Sequence, residues 1–160
     1  MNRRGVTRIG GGLLAILLGI AVGCGGGYQA RIESGLRLMQ SGDYAGAAVQ
    51  FERAARTRPQ STAAYANLGV ACWRLGALDR AIAALTMACD LDPRDHRLPL
   101  LLAEVLQDAK RWEDARQLLG RLSTAMPERA DLQTRLARLE FRAGNTDEAA
   151  AYLDKALKRS

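Results

Sequence analysis

The chain is poor in the residues that most often build catalytic and metal sites. Its 160 residues include one histidine, His96, and three cysteines, Cys24, Cys72 and Cys89. An odd number of cysteines without a C-x-x-C pair excludes a disulfide framework and leaves no plausible zinc set. Phosphate-binding loops and the motifs H-E-x-x-H and G-x-S-x-G are also missing. The sequence therefore predicts a protein that is not an enzyme and that holds no metal.

Aromatic residues are scarce as well, at 5%, whereas hydrophobic residues make up 48% of the chain and charged residues 25%. A globular core must then consist mainly of leucine and alanine, which favour helix. The net charge is +6, but three arginines lie within the first eight residues, and without them 20 Lys+Arg face 17 Asp+Glu, a difference of +3. So small an excess does not indicate nucleic-acid binding, and no nucleic-acid partner is expected.

The N-terminal segment has the layout of an export signal. Residues 1–8 are basic, residues 9–22 carry no charge, and Cys24 follows the small residues Ala21 and Gly23. About 14 apolar residues are too few for a membrane span, which needs roughly 20. They suit the apolar part of a signal peptide.

The end of this segment resembles the lipobox of bacterial lipoproteins, in the form Ile20-Ala21-Val22-Gly23-Cys24, with alanine where leucine is commonest. The resemblance implies a cleaved signal peptide over 1–23, diacylglycerol and acyl chains attached covalently to Cys24, no other cofactor, and a short glycine tether within 24–27. Gly25, where aspartate would retain the protein in the inner membrane, implies the periplasmic face of the outer membrane. The outer leaflet of the cytoplasmic membrane is the alternative. An uncleaved anchor and a plain signal peptide with an incidental cysteine also stay open.

The rest of the chain repeats itself every 34 residues. Five series share this period: Gly42, Gly76, Lys110 and Gly144; Tyr44, Leu78, Trp112 and Thr146; Ala47, Ala81, Ala115 and Ala149; Phe51, Leu85, Leu119 and Leu153; and Pro59, Pro93 and Pro127. A period of this length indicates a repeat architecture. Within residues 62–95, apolar residues at steps of three and four predict one helix that ends at Gly76 and a second that ends before Pro93.

This pattern resembles the tetratricopeptide repeat. The second unit matches best, with Tyr65, Leu68, Gly69, Gly76, Ala81, Leu85, Ala88 and Pro93 in place. The resemblance implies an all-α solenoid over 28–160 after the cleaved signal helix, with four helix-turn-helix repeats and thus eight helices. The repeats are 28–61, 62–95, 96–129 and 130–160. Gly69 and Ala81 are expected to let the two helices of their repeat cross closely.

In this family, the first helix of each repeat lines a concave groove that binds a protein partner. The resemblance places eleven residues in the groove: Ile32, Leu36, Met39, Val70, Trp73, Arg74, Arg97, Glu104, Arg138, Phe141 and Arg142. Trp73 faces no consensus core position and is the best single contact candidate, since interface hot spots favour tryptophan and arginine. The alternative that Leu36, Met39 and Phe141 only pack between repeats stays open.

Three further features have structural interpretations. Cys72 and Cys89 are predicted to be buried thiols too far apart for a disulfide. The acidic stretch 90–95 is predicted to be a solvated turn, because it lacks the glycine and the distal glutamate of a calcium loop. The sequence stops at Ser160, within the second helix of the fourth unit, and we expect apolar residues there, Leu157 among them, to contact a partner or a second copy in a homodimer.

These observations lead to one hypothesis and two alternatives. The hypothesis is a non-catalytic protein-binding scaffold, held at the membrane by its lipid anchor, that assists assembly of an envelope complex such as a pilus or a secretin. It rests on the architecture, which resembles that of pilotins and of assembly lipoproteins of type IV and Tad pili. The alternatives are a generic adaptor of the envelope or peptidoglycan machinery and an accessory subunit of a periplasmic enzyme complex.

Overall fold

The computed structural model describes the backbone of residues 12–158 and the side chains of residues 27–158. Within that range the chain forms eight α-helices and no strand. The helices are α1 (Gly12–Ser41), α2 (Tyr44–Thr57), α3 (Thr62–Leu75), α4 (Leu78–Leu91), α5 (Arg97–Asp108), α6 (Trp112–Ala125), α7 (Ala130–Ala143) and α8 (Thr146–Leu157). The predicted all-α class and the four helix pairs are confirmed.

The first helix starts earlier than the repeat pattern indicates. α1 has 30 residues and continues without a break through residues 25–27, where the sequence predicts a structureless tether after cleavage. In the full-length chain this stretch lies between the first repeat and a segment rich in leucine and alanine. Both flanks favour helix and offset the cost of about 1 kcal/mol per glycine.

Much of the predicted export signal lies outside the described part of the chain. Residues 1–11 are not described, and for Cys24 only the backbone is described. Cleavage before Cys24 and the tether that follows it therefore stay predictions. Among the helices of residues 12–158, none is both long enough and apolar enough to cross a membrane.

The turns within the helix pairs depend on a left-handed residue at one position of the repeat. Gly42, Gly76 and Gly144 occupy it with φ of +83°, +82° and +91°. At Gly76 the backbone N–H donates to carbonyl oxygens near the end of α3 and so closes the helix. Lys110 takes the same position in the third repeat, with φ of +58°, although only glycine adopts this conformation without steric cost.

Replacing Lys110 with glycine should therefore raise the free energy of unfolding by about 1 kcal/mol. The reverse change, Gly76→Lys, is the matched control and should lower it by a similar amount. Urea unfolding followed by circular dichroism measures both. A less stable Lys110→Gly variant would show that the contacts of the lysine side chain outweigh the strain in its backbone.

The core is built from one apolar position that recurs in each repeat. Phe51, Leu85 and Leu119 are at most 1% exposed, because the first helix of the following repeat packs against the helix that carries each of them. Leu153 holds the same position in the fourth repeat and is 47% exposed.

The two helices of a repeat cross so closely that only glycine fits opposite Phe51 and Leu85. A Cβ atom at Gly69 would lie 2.6 Å from Cγ of Leu85, and one at Gly35 would lie 2.5 Å from the ring of Phe51. Atoms cannot approach so closely, so the close crossing predicted at Gly69 is confirmed. Each helix packs chiefly against the helices before and after it in the chain, as in other repeat proteins.

Candidate functional site

A cavity of about 260 Å³ lies on the face formed by the first helices of the second, third and fourth repeats. Its lining residues come from α3, α5 and α7 and are Trp73, Glu104, Gln107, Asp108, Arg135, Arg138 and Arg142. We refer to these seven residues as the groove cavity. Its place on the first helices is the one that the repeat pattern predicts for a concave groove.

Trp73 forms the apolar wall of the groove cavity. Its indole Nε1 donates a hydrogen bond of 2.8 Å to Oδ2 of Asp108 on the next repeat. The side chain is half-buried and also packs against the main hydrophobic core, although the sequence placed it outside the core. The indole is thus held by Asp108 on one side and by the core on the other. Because its N–H donates to Asp108, it is not available to a ligand.

Arg142 joins the third and fourth repeats at one end of the cavity. Its Nη2 donates to Oδ1 of Asp108 at 3.1 Å, and its Nη1 donates to Oε1 of Gln107 at 3.4 Å. The guanidinium also lies 5.9 Å from the ring centre of Trp112, within the range of a cation–π contact. Asp108 therefore accepts hydrogen bonds from both Trp73 and Arg142.

Arg135 makes an equivalent link at the other end. Its Nη1 donates to Oε1 of Glu104 at 3.0 Å, and its Nε lies 3.6 Å from Oδ2 of Asp131. Asp131 also accepts two hydrogen bonds from Arg129, of 3.0 and 2.7 Å. These hydrogen bonds from Arg129 are the main reason that the pKa of Asp131 lies below its usual value. The two carboxylates that line the cavity, Glu104 and Asp108, are thus each paired with a different arginine.

Arg138 is the remaining charged residue of the groove cavity. Among the side chains of residues 27–158 it has no hydrogen-bond or ion-pair partner, and it is exposed. Three arginines and two carboxylates line the cavity, so its net charge is +1. The arrangement therefore offers one uncommitted guanidinium opposite an aromatic wall.

The structure brings together four of the eleven residues that the sequence assigned to the groove: Trp73, Glu104, Arg138 and Arg142. Of the others, Leu36 and Phe141 are 43% and 69% exposed, and Arg74 is exposed as well, whereas Val70 is half-buried. The half-buried Ile32 and Met39 pack against the core. Binding by any of these residues stays a prediction.

Arg97 lies away from the cavity. Its guanidinium donates to both carboxylate oxygens of Asp95, at 2.8 and 2.7 Å, in the turn before α5. This pair holds the pKa of Asp95 well below its usual value, at about 2. The repeat pattern placed Arg97 in the groove, and its part in binding stays a prediction.

Three lining residues, Gln107, Asp108 and Arg135, are not among those eleven. Asp108 follows Arg74 and precedes Arg142 by the period of 34 residues, so the repeat pattern contained the signal. Arg135 belongs to a position held by Glu33, Asn67 and Leu101 in the other repeats. The direction of the Arg135 side chain depends on its hydrogen bond with Glu104. The sequence does not show this contact.

The remaining predicted features lie outside the cavity. Cys72 is buried and Cys89 half-buried, and both are free thiols; burial raises the pKa of Cys72 and raises that of Cys89 to about 11. The described residues contain no group of three or more side chains that could hold a metal ion. On α8, Leu153 and Leu157 are 47% and 74% exposed, and the homodimer through this face stays a prediction.

Comparison with known families gives one consistent result. Two models described as tetratricopeptide repeat match the chain, one over residues 32–96 and the other over 76–125 and 109–160. Together they extend over all four helix pairs. A sequence comparison with curated proteins found no match.

Solved structures with the same fold include those of three proteins. MamA is 21% identical with a TM-score of 0.71, and the match covers 82% of this chain and 77% of MamA. YrrB, described as a TPR protein with an unusual peptide-binding site, is 20% identical with a TM-score of 0.69 and coverages of 83% and 69%. The protein pilF of Pseudomonas aeruginosa is 27% identical with a TM-score of 0.64, and the match covers 86% of this chain but 63% of pilF. The likeness to MamA and YrrB shows a shared fold.

Proposed function

Because the chain belongs to the tetratricopeptide repeat family, we propose that it is a non-catalytic scaffold that binds a segment of another protein in the groove cavity. The observation that carries this proposal is the cavity itself, where a fixed indole and an uncommitted arginine face the same space. Tryptophan and arginine are among the residues enriched at binding hot spots. The peptide-binding site of YrrB, on a similar fold, supports the same use.

We further propose that acyl chains on Cys24 hold the scaffold at the membrane, on the periplasmic face of the outer membrane. The support is the order of basic segment, apolar segment and lipobox in residues 1–24. Two or three acyl chains, at about 0.8 kcal/mol per buried methylene, would make the attachment effectively permanent.

Replacing Cys24 with serine should move the protein from the membrane fraction to the soluble fraction, because serine cannot accept the lipid. Fractionation of cells followed by immunoblotting measures the change, and Cys89→Ser is the matched control, which should stay in membranes. If the Cys24→Ser protein also stays in membranes, the apolar segment is an uncleaved anchor and the lipid proposal fails.

The partner we propose is a component of an envelope assembly such as a pilus or a secretin. The support is the resemblance to pilotin-type lipoproteins together with the similarity to pilF. The alternatives are cell-wall enzymes, which an adaptor of the peptidoglycan machinery would bind, and redox proteins, which an accessory subunit of an enzyme complex would bind.

A photo-crosslinking residue at position 73 should attach the partner in intact membranes, and mass spectrometry should identify a secretin or pilus component. The control is the same residue at position 87, since Met87 is exposed on α4 and outside the groove cavity. Attachment of cell-wall or redox proteins from position 73 would contradict the pilus or secretin assignment. Partner binding that is unchanged by Trp73→Ala would contradict the use of the groove altogether.

A further inference from the structure

Four of the five charged side chains of the groove cavity form ion pairs with each other, and the fifth does not. Glu104 is paired with Arg135 at 3.0 Å and Asp108 with Arg142 at 3.1 Å, which fixes four of the five charged side chains in place. Arg138 has no such partner among residues 27–158, so all five of its N–H donors remain for water or a ligand. A guanidinium presents these donors in a planar fork that matches a carboxylate.

Trp73, which forms the aromatic wall, differs from Arg138 because its only side-chain hydrogen-bond donor is already in use. The indole N–H of Trp73 is occupied by Asp108 at 2.8 Å, so Trp73 has no donor to offer a ligand. What it presents to the cavity is the apolar surface of its ring. The two sides of the cavity therefore select different chemistry, an anion at Arg138 and an apolar group at Trp73.

The size of the cavity limits what can occupy it. Its volume of about 260 Å³ is below the roughly 300–1,000 Å³ of sites that enclose a whole small molecule. It suits one or two side chains of an extended peptide whose remainder lies along the groove.

We propose that the groove cavity recognises a carboxylate next to an apolar side chain in a bound peptide, with Arg138 pairing with the carboxylate and the ring of Trp73 packing against the apolar group. This inference rests on the proposed function, the binding of a protein segment in the groove. The carboxylate belongs to an aspartate or glutamate side chain or to a peptide C-terminus, since both present the same two oxygens.

Selection from a library of short synthetic peptides tests this specificity with the full-length chain in detergent. One half of the library ends in an amide and the other in a free carboxylate. The proteins compared are the wild type, Arg138→Asp and the matched control Arg121→Asp, which changes an exposed arginine on α6 outside the groove cavity. Circular dichroism confirms that both variants, which alter exposed residues, keep the helical fold.

The wild type should enrich peptides with an acidic residue beside a large apolar residue, and Arg121→Asp should enrich the same set. Arg138→Asp should bind a selected peptide about 10- to 100-fold more weakly and should instead enrich lysine or arginine at the acidic position. Enrichment in the amide half identifies a side-chain carboxylate, and enrichment in the free-acid half alone identifies a chain end.

Two results would overturn this inference but not the proposed function as a protein-binding scaffold. One is a set of bound peptides without a carboxylate preference, and the other is the same acidic preference in Arg138→Asp as in the wild type. The absence of any bound peptide in both halves would overturn the proposed function along with it.

Discussion

Replacing Leu85 with alanine should lower the free energy of unfolding by about 2–5 kcal/mol. The side chain is fully buried between α3, α4 and α5, and Cγ of Leu85 lies against the backbone of Gly69 so closely that no Cβ fits there. Removing the leucine therefore leaves a cavity that the rigid helix crossing cannot close. Urea unfolding followed by circular dichroism measures the loss, and Leu119→Ala should give a loss of the same size.

The repeat supplies a matched control for this prediction. Leu153 holds the same position in the fourth repeat but is 47% exposed, so Leu153→Ala should cost less than about 1 kcal/mol. An equal loss at positions 85 and 153 would mean that α8 is covered in solution, as it would be by a second copy or a partner.

Replacing Arg116 with methionine should lower the free energy of unfolding by about 3–5 kcal/mol at neutral pH. Arg116 donates to both carboxylate oxygens of Glu140, from Nε at 2.5 Å and from Nη2 at 2.8 Å, and Glu140 is 1% exposed. Without Arg116 a buried carboxylate would keep only its hydrogen bond from Asn145, of 2.7 Å. Arg56→Met, which removes an exposed pair with Glu52, is the control and should cost less than about 1 kcal/mol.

A double variant separates the effect of the charge from the packing of the arginine side chain. The double variant Arg116→Met with Glu140→Met should recover most of the stability, because no buried charge is left unpaired. A double variant as unstable as Arg116→Met alone would assign the loss to packing.

The stabilisation from this pair should also depend on pH. Hydrogen bonds from Arg116 hold the pKa of Glu140 below its ordinary value of 4.5. The contribution of the pair is therefore complete above about pH 4.5 and is lost as the pH falls from there through the folded-state pKa. The stability difference between wild type and Arg116→Met should shrink as the pH falls, because protonation of Glu140 removes the charge that Arg116 neutralises.

The fold was predictable because the repeat pattern contains most of its information. Alanine, leucine and proline at a constant spacing define two helices per unit, and the glycine that ends α3 and the one that meets Leu85 were both identified from their positions. The start of α1 was not, because a helix across three glycines depends on the segments on either side and not on the glycines themselves.

The candidate site was less predictable. The repeat pattern placed Trp73 and Arg138 on one face, and both line the groove cavity, but it could not show which arginine is free. That depends on contacts between helices of different repeats, such as Arg142 with Asp108 and Arg135 with Glu104. These contacts depend on side-chain directions that the spacing of residues does not determine.

Packing of each helix against its neighbours in the chain has a mechanical consequence. The groove cavity lies on α3, α5 and α7, whereas α1 belongs to the opposite end of the solenoid. A pull between a ligand in the cavity and the start of α1 would pass in series through the contacts of α1 with α2 and of α2 with α3. In a series the weakest contact yields first, so the force that the molecule withstands is set by the weaker of these two contacts, and the packing of α8 against α7 does not add to it.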